Sequence, residues 1–306
     1  MSEPLLDPAA PAIVSRPPNG GAKGAWVGIP FNDWPAWTGV LALVAALVLA
    51  AVGALIVDLP ALAFGVKVSS SHTPPGIELA DTVAQDIVFV LTVILFAQMG
   101  GRAVRARQIG FRPVPLRRAA GLVLLLLVGF LIVSAVWSAI LNESTKEKLL
   151  EQLGAESSAL LLALSALLTT VIAPICEETL FRGYIFAAFS KWRGWLPAAV
   201  LTGILFGAVH AGSAPANDLI PLGALGFFLC ALYQRTGSLY PCIAAHSLNN
   251  SLAFGVLEGW GWQVPLLMVG ALLTIGLLAI LLQRTGLLSG PAADDLVVLT
   301  AYDQQP

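Results

Sequence analysis

The sequence predicts an all-α, polytopic membrane protein of about eight transmembrane helices. Three observations predict it. Hydrophobic residues make up 57% of the 306-residue chain and charged residues only 11%, against about 25% charged in an ordinary soluble domain. Such a chain cannot cover a soluble surface, and it is too apolar to be disordered over most of its length. Apolar segments long enough to cross a bilayer recur along it. The ionisable groups inside those segments gather in a few of them instead of scattering. Lys and Arg number 16 and Asp and Glu 18, a formal charge of -2, so no basic excess supports a nucleic-acid partner.

Residues 1–36 are rich in Pro, Gly and Ala without an apolar period, and read as a flexible tail. They do not resemble a signal peptide, because the first apolar run begins only near Gly39. Trp26, Trp34 and Trp37 approach that run as interfacial aromatics do. Residues 37–285 form a single membrane-embedded helical domain, with spans near 38–57, 81–99, 119–141, 158–189, 196–212, 218–234, 238–256 and 263–283. The fourth is too long for a simple span. It is strongly tilted, broken near Pro174, or partly interfacial. The small-residue-rich sixth, around GALGFFLCALY, is a helix-packing segment. Residues 286–306 return to a polar, acidic tail.

Basic residues orient the helices. Arg102, Arg105, Arg107, Arg112, Arg117 and Arg118 fall between the second and third spans with no acidic residue among them. The positive-inside rule makes that loop cytoplasmic. Alternation then puts both termini in the cytoplasm and leaves Lys67, Lys146 and Lys148 outside. Within the external segment 142–157, Ser144 and Glu147 have the spacing of a capping box. The absence of a targeting segment suits a bacterial inner membrane.

Ionisable groups inside a span cost about 2.5–3.5 kcal/mol each at the helix centre. Here they cluster: Glu177, Glu178 and Arg182 in ICEETLFRGYIF, His210 in LFGAVHAG, and His246 with Asn249 and Asn250 in IAAHSLNNS. Groups so costly are paired, ligated or wet. Glu178 and Arg182, at i,i+4, share a helix face and can form an ion pair. Glu177 is rotated about 100° from Glu178 and is left to face a cavity. His246 and Asn250 share a face, as do Phe206 and His210. Blander readings compete: a lone intramembrane His often only packs, and a Glu–Arg pair is often structural glue. His72, before Pro74 and Pro75, reads as a solvated loop residue. Cys176, Cys230 and Cys242 have no metal-type spacing and read as small buried hydrophobes. Yet two of the three histidines share the interior with adjacent glutamates.

A carboxylate and an imidazole converging on one water can deprotonate it, with or without a metal. A second His and an Asn can donate to the oxyanion of a tetrahedral intermediate. Together these parts suit amide hydrolysis in an intramembrane catalytic cavity.

At these residues the sequence resembles a known family. EETLFR reads as EExxxR, FGAVH as FxxxH and HSLNN as HxxxN. These are the signatures of the CAAX protease and bacteriocin-processing (CPBP) family of intramembrane endopeptidases, which includes the type II CAAX prenyl endopeptidases. YQRTGSLYPCIAAHSLNN resembles the family's approach to its last motif, and the resemblance covers roughly residues 120–255. It implies that Glu177 and His210 activate water, that His246 and Asn250 stabilise the oxyanion, and that Glu178 and Arg182 shape the site. It implies zinc as a candidate cofactor, with Glu177, His210 and His246 as candidate ligands, beside a metal-free glutamate mechanism. The implied partners are the lipid bilayer and a hydrophobic, membrane-anchored or prenylated peptide substrate. The alternative is a non-catalytic scaffold or bacteriocin self-immunity protein on the same fold. A proton-relaying transporter is a further alternative, although no inverted repeat of broken helices supports it.

Overall fold

A computed structural model describes residues 34–66, 68, 73–99, 104–141 and 158–285. The expectations for residues 1–33, Lys67, His72, Arg102, the 142–157 segment and residues 286–306 lie outside the described residues. Among the described residues all regular structure is helical.

The chain runs α1 (Ala36–Ala63), α2 (Pro75–Ala97), a short α3 (Ala106–Ile109) and α4 (Leu116–Leu141). It continues through α5 (Ala159–Arg193), α6 (Trp195–Val209), α7 (Leu219–Thr236), α8 (Leu239–Leu257) and α9 (Gln263–Arg284). Each expected segment thus corresponds to a helix. Six of them are long and apolar enough to cross a membrane. The 15-residue α6 is apolar but shorter, and α8 carries the polar His246, Asn249 and Asn250. The molecule is an integral membrane protein. Its outward surface is a hydrocarbon one, with Leu55, Leu124, Ile132 and Leu273 exposed, as a bilayer solvent requires.

Two of the boundaries that differ from the sequence reading bear on the site. Helix α2 begins at Pro75, six residues before the apolar run at 81. Its first turns carry Glu78, Asp81 and Thr82, which an apolar window excludes. Pro75 stands at the helix start, where a missing N–H costs nothing. Helix α6 stops at Val209, because the His210 carbonyl accepts from the Ser213 and Ala214 N–H groups and the chain turns away. His210 is therefore the C-cap of α6 and not a residue inside it.

The long fourth segment is one continuous helix of 35 residues, roughly 50 Å at 1.5 Å per residue. Its start is capped by Ser158, which accepts from the Leu161 N–H. Pro174 does not break it. Instead a π turn at Leu168–Ile172 precedes the proline and re-pairs the backbone that its missing N–H leaves over. A second π turn spans Phe181–Phe186.

Tight connections bring neighbouring helices side by side. Gly194 (φ 79°) separates α5 from α6, and Gly237 (φ 62°) ends α7. Both lie in the left-handed region that glycine enters without a Cβ penalty. Ser238 then caps α8 by accepting from the Tyr240 N–H. Helices α6 and α7 meet closely along glycines. A Cβ on Gly203 would come within 2.7 Å of the Gly223 carbonyl oxygen, and one on Gly207 would collide with the Leu219 carbonyl. This is the small-residue packing of membrane helices, as the GALGFFLCALY segment predicts.

Alternating direction places the arginine-rich loop at one end. Arg118 donates to the Arg235 carbonyl, and Ser238 Oγ donates to the Arg112 carbonyl. At the opposite end the Trp137 indole donates to the Asn217 carbonyl.

Candidate active site

Helices α5, α6 and α8 bring the three polar motifs together about half-way along α5. Glu178 and Arg182 are fully buried and paired, with Nη1 2.7 Å from Oε1. Arg182 Nη2 also donates to the Gly226 carbonyl of α7 at 3.1 Å. The guanidinium lies 4.5 Å above the centre of the Phe206 ring, a cation–π contact in a dry setting. The pairing that i,i+4 spacing predicts is present, and α7 and Phe206 extend it.

His246 connects this pair to the cavity. Its Nδ1 lies 2.8 Å from Glu178 Oε1. A carboxylate held by an arginine only accepts, so Nδ1 carries the proton. The opposite nitrogen, Nε2, then points at Glu177, 3.9 Å from its Oε2. Glu178 is sealed, whereas the Glu177 side chain is 13% exposed. Adjacent carboxylates thus have different surroundings, as the 100° rotation between them predicts.

His210 is oriented by its own helix. Its Nδ1 donates to the Phe206 carbonyl at 2.7 Å, which leaves Nε2 as the accepting nitrogen of the neutral ring. The Phe206 ring lies 4.9 Å from the His210 ring and 5.6 Å from the His246 ring. Phe206 therefore spaces both imidazoles as well as Arg182. Asn250 donates one N–H to the Thr169 carbonyl at 2.9 Å, and its Oδ1 accepts from Asn249 at 3.4 Å. Its amide keeps a second N–H hydrogen for a ligand.

Glu177, His210, His246 and Asn250 all line one cavity of about 230 Å³. The family-implied donors share this cavity, but as the side chains stand no group of three His, Cys, Asp or Glu among the described residues converges to hold a metal. The zinc expectation does not fit this arrangement, and no step below is routed through a metal. Cys176, Cys230 and Cys242 are free and buried.

One wall of the cavity was not visible in the motifs. Helix α2 contributes Glu78, Thr82, Gln85, Asp86 and Phe89. Asp86 is 1% exposed. Neither of its carboxyl oxygens has a hydrogen-bond partner. The sequence did hold a signal: these positions repeat at i, i+4, i+7, i+8 and i+11, one face of an otherwise apolar helix.

Residues 159–252 match the family model described as type II CAAX prenyl endopeptidase Rce1-like. The match begins at α5 rather than near residue 120, so it leaves out α4. The chain is 32% identical over 88 residues to a Bacillus subtilis protein named "Putative membrane peptidase YdiL", covering 29% of this chain and 35% of that protein. It is 31% identical over 116 residues to an uncharacterized 24.3 kDa protein of Escherichia coli, covering 37% and 52% respectively. A protein of Mycoplasma capricolum is 28% identical over 93 residues, 30% of this chain and 27% of its own length. The chain thus spans about half or less of each relative. No solved structure matches it significantly. Residues 159–252, which hold all three polar motifs, are thus similar to the Rce1-like, type II CAAX prenyl endopeptidase family.

Proposed function

We propose that this protein is an intramembrane endopeptidase that hydrolyses a peptide bond of a hydrophobic, membrane-associated or prenylated peptide. The observation that carries the proposal is the placement of Glu177 and His246 Nε2, 3.9 Å apart on one cavity wall. A water beside the line joining them reaches both groups.

Glu177 takes a proton from that water, and the hydroxide oxygen bonds to the carbonyl carbon of the substrate. His210, with Nε2 unprotonated, assists as a second base. The carbonyl oxygen becomes an oxyanion, which the remaining Asn250 N–H stabilises. His246, whose Nδ1 is held by Glu178, donates there only when both its nitrogens carry protons. Collapse of the intermediate breaks the C–N bond, and the proton held by Glu177 passes to the leaving amine. Glu178, Arg182 and Phe206 touch no reacting atom and serve as positioning residues.

The test is Glu177→Gln, which keeps the side-chain shape and removes the base. General-base catalysis is worth about 10²- to 10⁴-fold, so cleavage falls by that factor while the protein still inserts. Peptide termini in membrane and secreted fractions are compared between cells carrying wild type and the variant. Termini present only with wild type support the proposal; identical sets in both remove Glu177 from its role.

A further inference from the structure

The cavity's charge is lopsided. Among the described residues its lining includes Glu78, Asp86 and Glu177, but no lysine or arginine. The nearby cation, Arg182, is fully buried and already paired with Glu178. The imbalance continues toward the start of α2, where Asp81 of α2 and Asp58 of α1 lie within electrostatic reach of each other. Glu78, Thr82, Gln85 and Asp86 thus form a polar, acidic stripe along one face of α2. It runs roughly 12 Å, eight residues at 1.5 Å each.

Asp86 ends that stripe at the level of Glu177. Its 1% exposure and two unpartnered oxygens set it apart from the other buried charges of the site. Glu178 and Arg182 each have a partner, and among the described residues neither Asp86 oxygen has one. A buried polar group without a partner costs free energy, and an ionisable group within a span costs more. A structural role would be served by a hydroxyl or an apolar residue at less cost. Asp86 lines the cavity in which a substrate peptide would lie, and its two unpartnered oxygens match the donors of an ammonium or guanidinium.

We propose that the α2 wall ending in Asp86 is a subsite for a cationic side chain of the substrate, a lysine or arginine near the bond to be cut. This rests on the peptidase reading above, and it narrows the substrate class to hydrophobic peptides that carry a basic residue near the cleavage point. Glu78 and Gln85 line the path to Asp86, so the same stripe guides the charge inward.

The experiment measures binding apart from turnover. Full-length Glu177→Gln protein in lipid nanodiscs is titrated with fluorescein-labelled hydrophobic dodecapeptides. A single lysine is moved through the sequence, and each peptide is paired with its norleucine counterpart. At one or two positions the lysine peptide binds roughly 10-fold tighter, the equivalent of one good charge contact. Adding Asp86→Asn reduces that preference to under about 2-fold, and Asp86→Glu in its place restores most of it. Recovery in the glutamate variant excludes a folding defect as the cause. Equal binding of lysine and norleucine peptides at every position overturns the subsite, as does a preference that survives Asp86→Asn. Wild-type protein is assayed for cleavage of the same peptides in parallel. If it cuts none while the Asp86-dependent preference persists, the subsite stands and the peptidase reading falls. If it cuts them with no lysine preference, the peptidase reading stands and the subsite falls.

Discussion

Glu178 is the residue on which the site's geometry turns, since one oxygen accepts from both Arg182 and His246. Removing the cation alone would strand a buried carboxylate. Arg182→Met is therefore expected to destabilise the protein by about 3–5 kcal/mol, read as a lowered unfolding temperature in detergent. The double variant with Glu178→Gln should recover part of that loss. An Arg182→Met protein as stable as wild type would contradict the pairing. Removal of metal is a second prediction at this scale, since no donor set of three converges among the described residues. Prolonged chelation should change peptide turnover by less than about 2-fold, within the range a single ligand loss would far exceed. Loss of turnover restored by zinc would instead require Glu177, His210 and His246 to close around an ion. Helical spacing made several residue facts legible, among them the Glu178–Arg182 pair and the rotation of Glu177 toward the cavity. It could not show that His246 reaches Glu178, because spacing along one helix says nothing of contacts between helices. Asp86 escaped because it belongs to no motif, although it shares one face of α2 with Glu78, Thr82 and Gln85.

Helices α5, α6 and α7 decide whether those side chains meet. Arg182 reaches the Gly226 carbonyl only because α7 lies close to the core. Gly203 and Gly207 permit that approach. Gly207→Val is expected to push α6 from α7 and shift His210, three residues on. A displacement of about 1 Å in a catalytic group costs roughly 100-fold in rate. Turnover by the reconstituted variant checks this, with helix content from circular dichroism as the control. Undiminished turnover would mean that His210 does not depend on the α6–α7 contact. The small-residue composition foretold this packing. The π turns at Leu168–Ile172 and Phe181–Phe186 were not foretold, since apolar windows are blind to one extra residue in a turn. Pro174 did mark the first of them, as a place where the hydrogen-bond ladder must change.

The described residues form a helical bundle with a hydrocarbon exterior and a polar cavity within it. The exterior was the most legible part, because the bilayer demands long apolar runs and the chain supplies them. The limits of α2 and α6 were less so, since the polar first turns of α2 and the cap at His210 serve the cavity and not the lipid. The central claim is that Glu177 activates a water within this cavity. The most direct measurement uses purified wild-type and Glu177→Gln proteins in nanodiscs, given hydrophobic peptides in ¹⁸O-water and analysed by mass spectrometry. The account predicts new carboxyl termini bearing one ¹⁸O with wild type and essentially none with the variant. Equal ¹⁸O-labelled product from both proteins would contradict it.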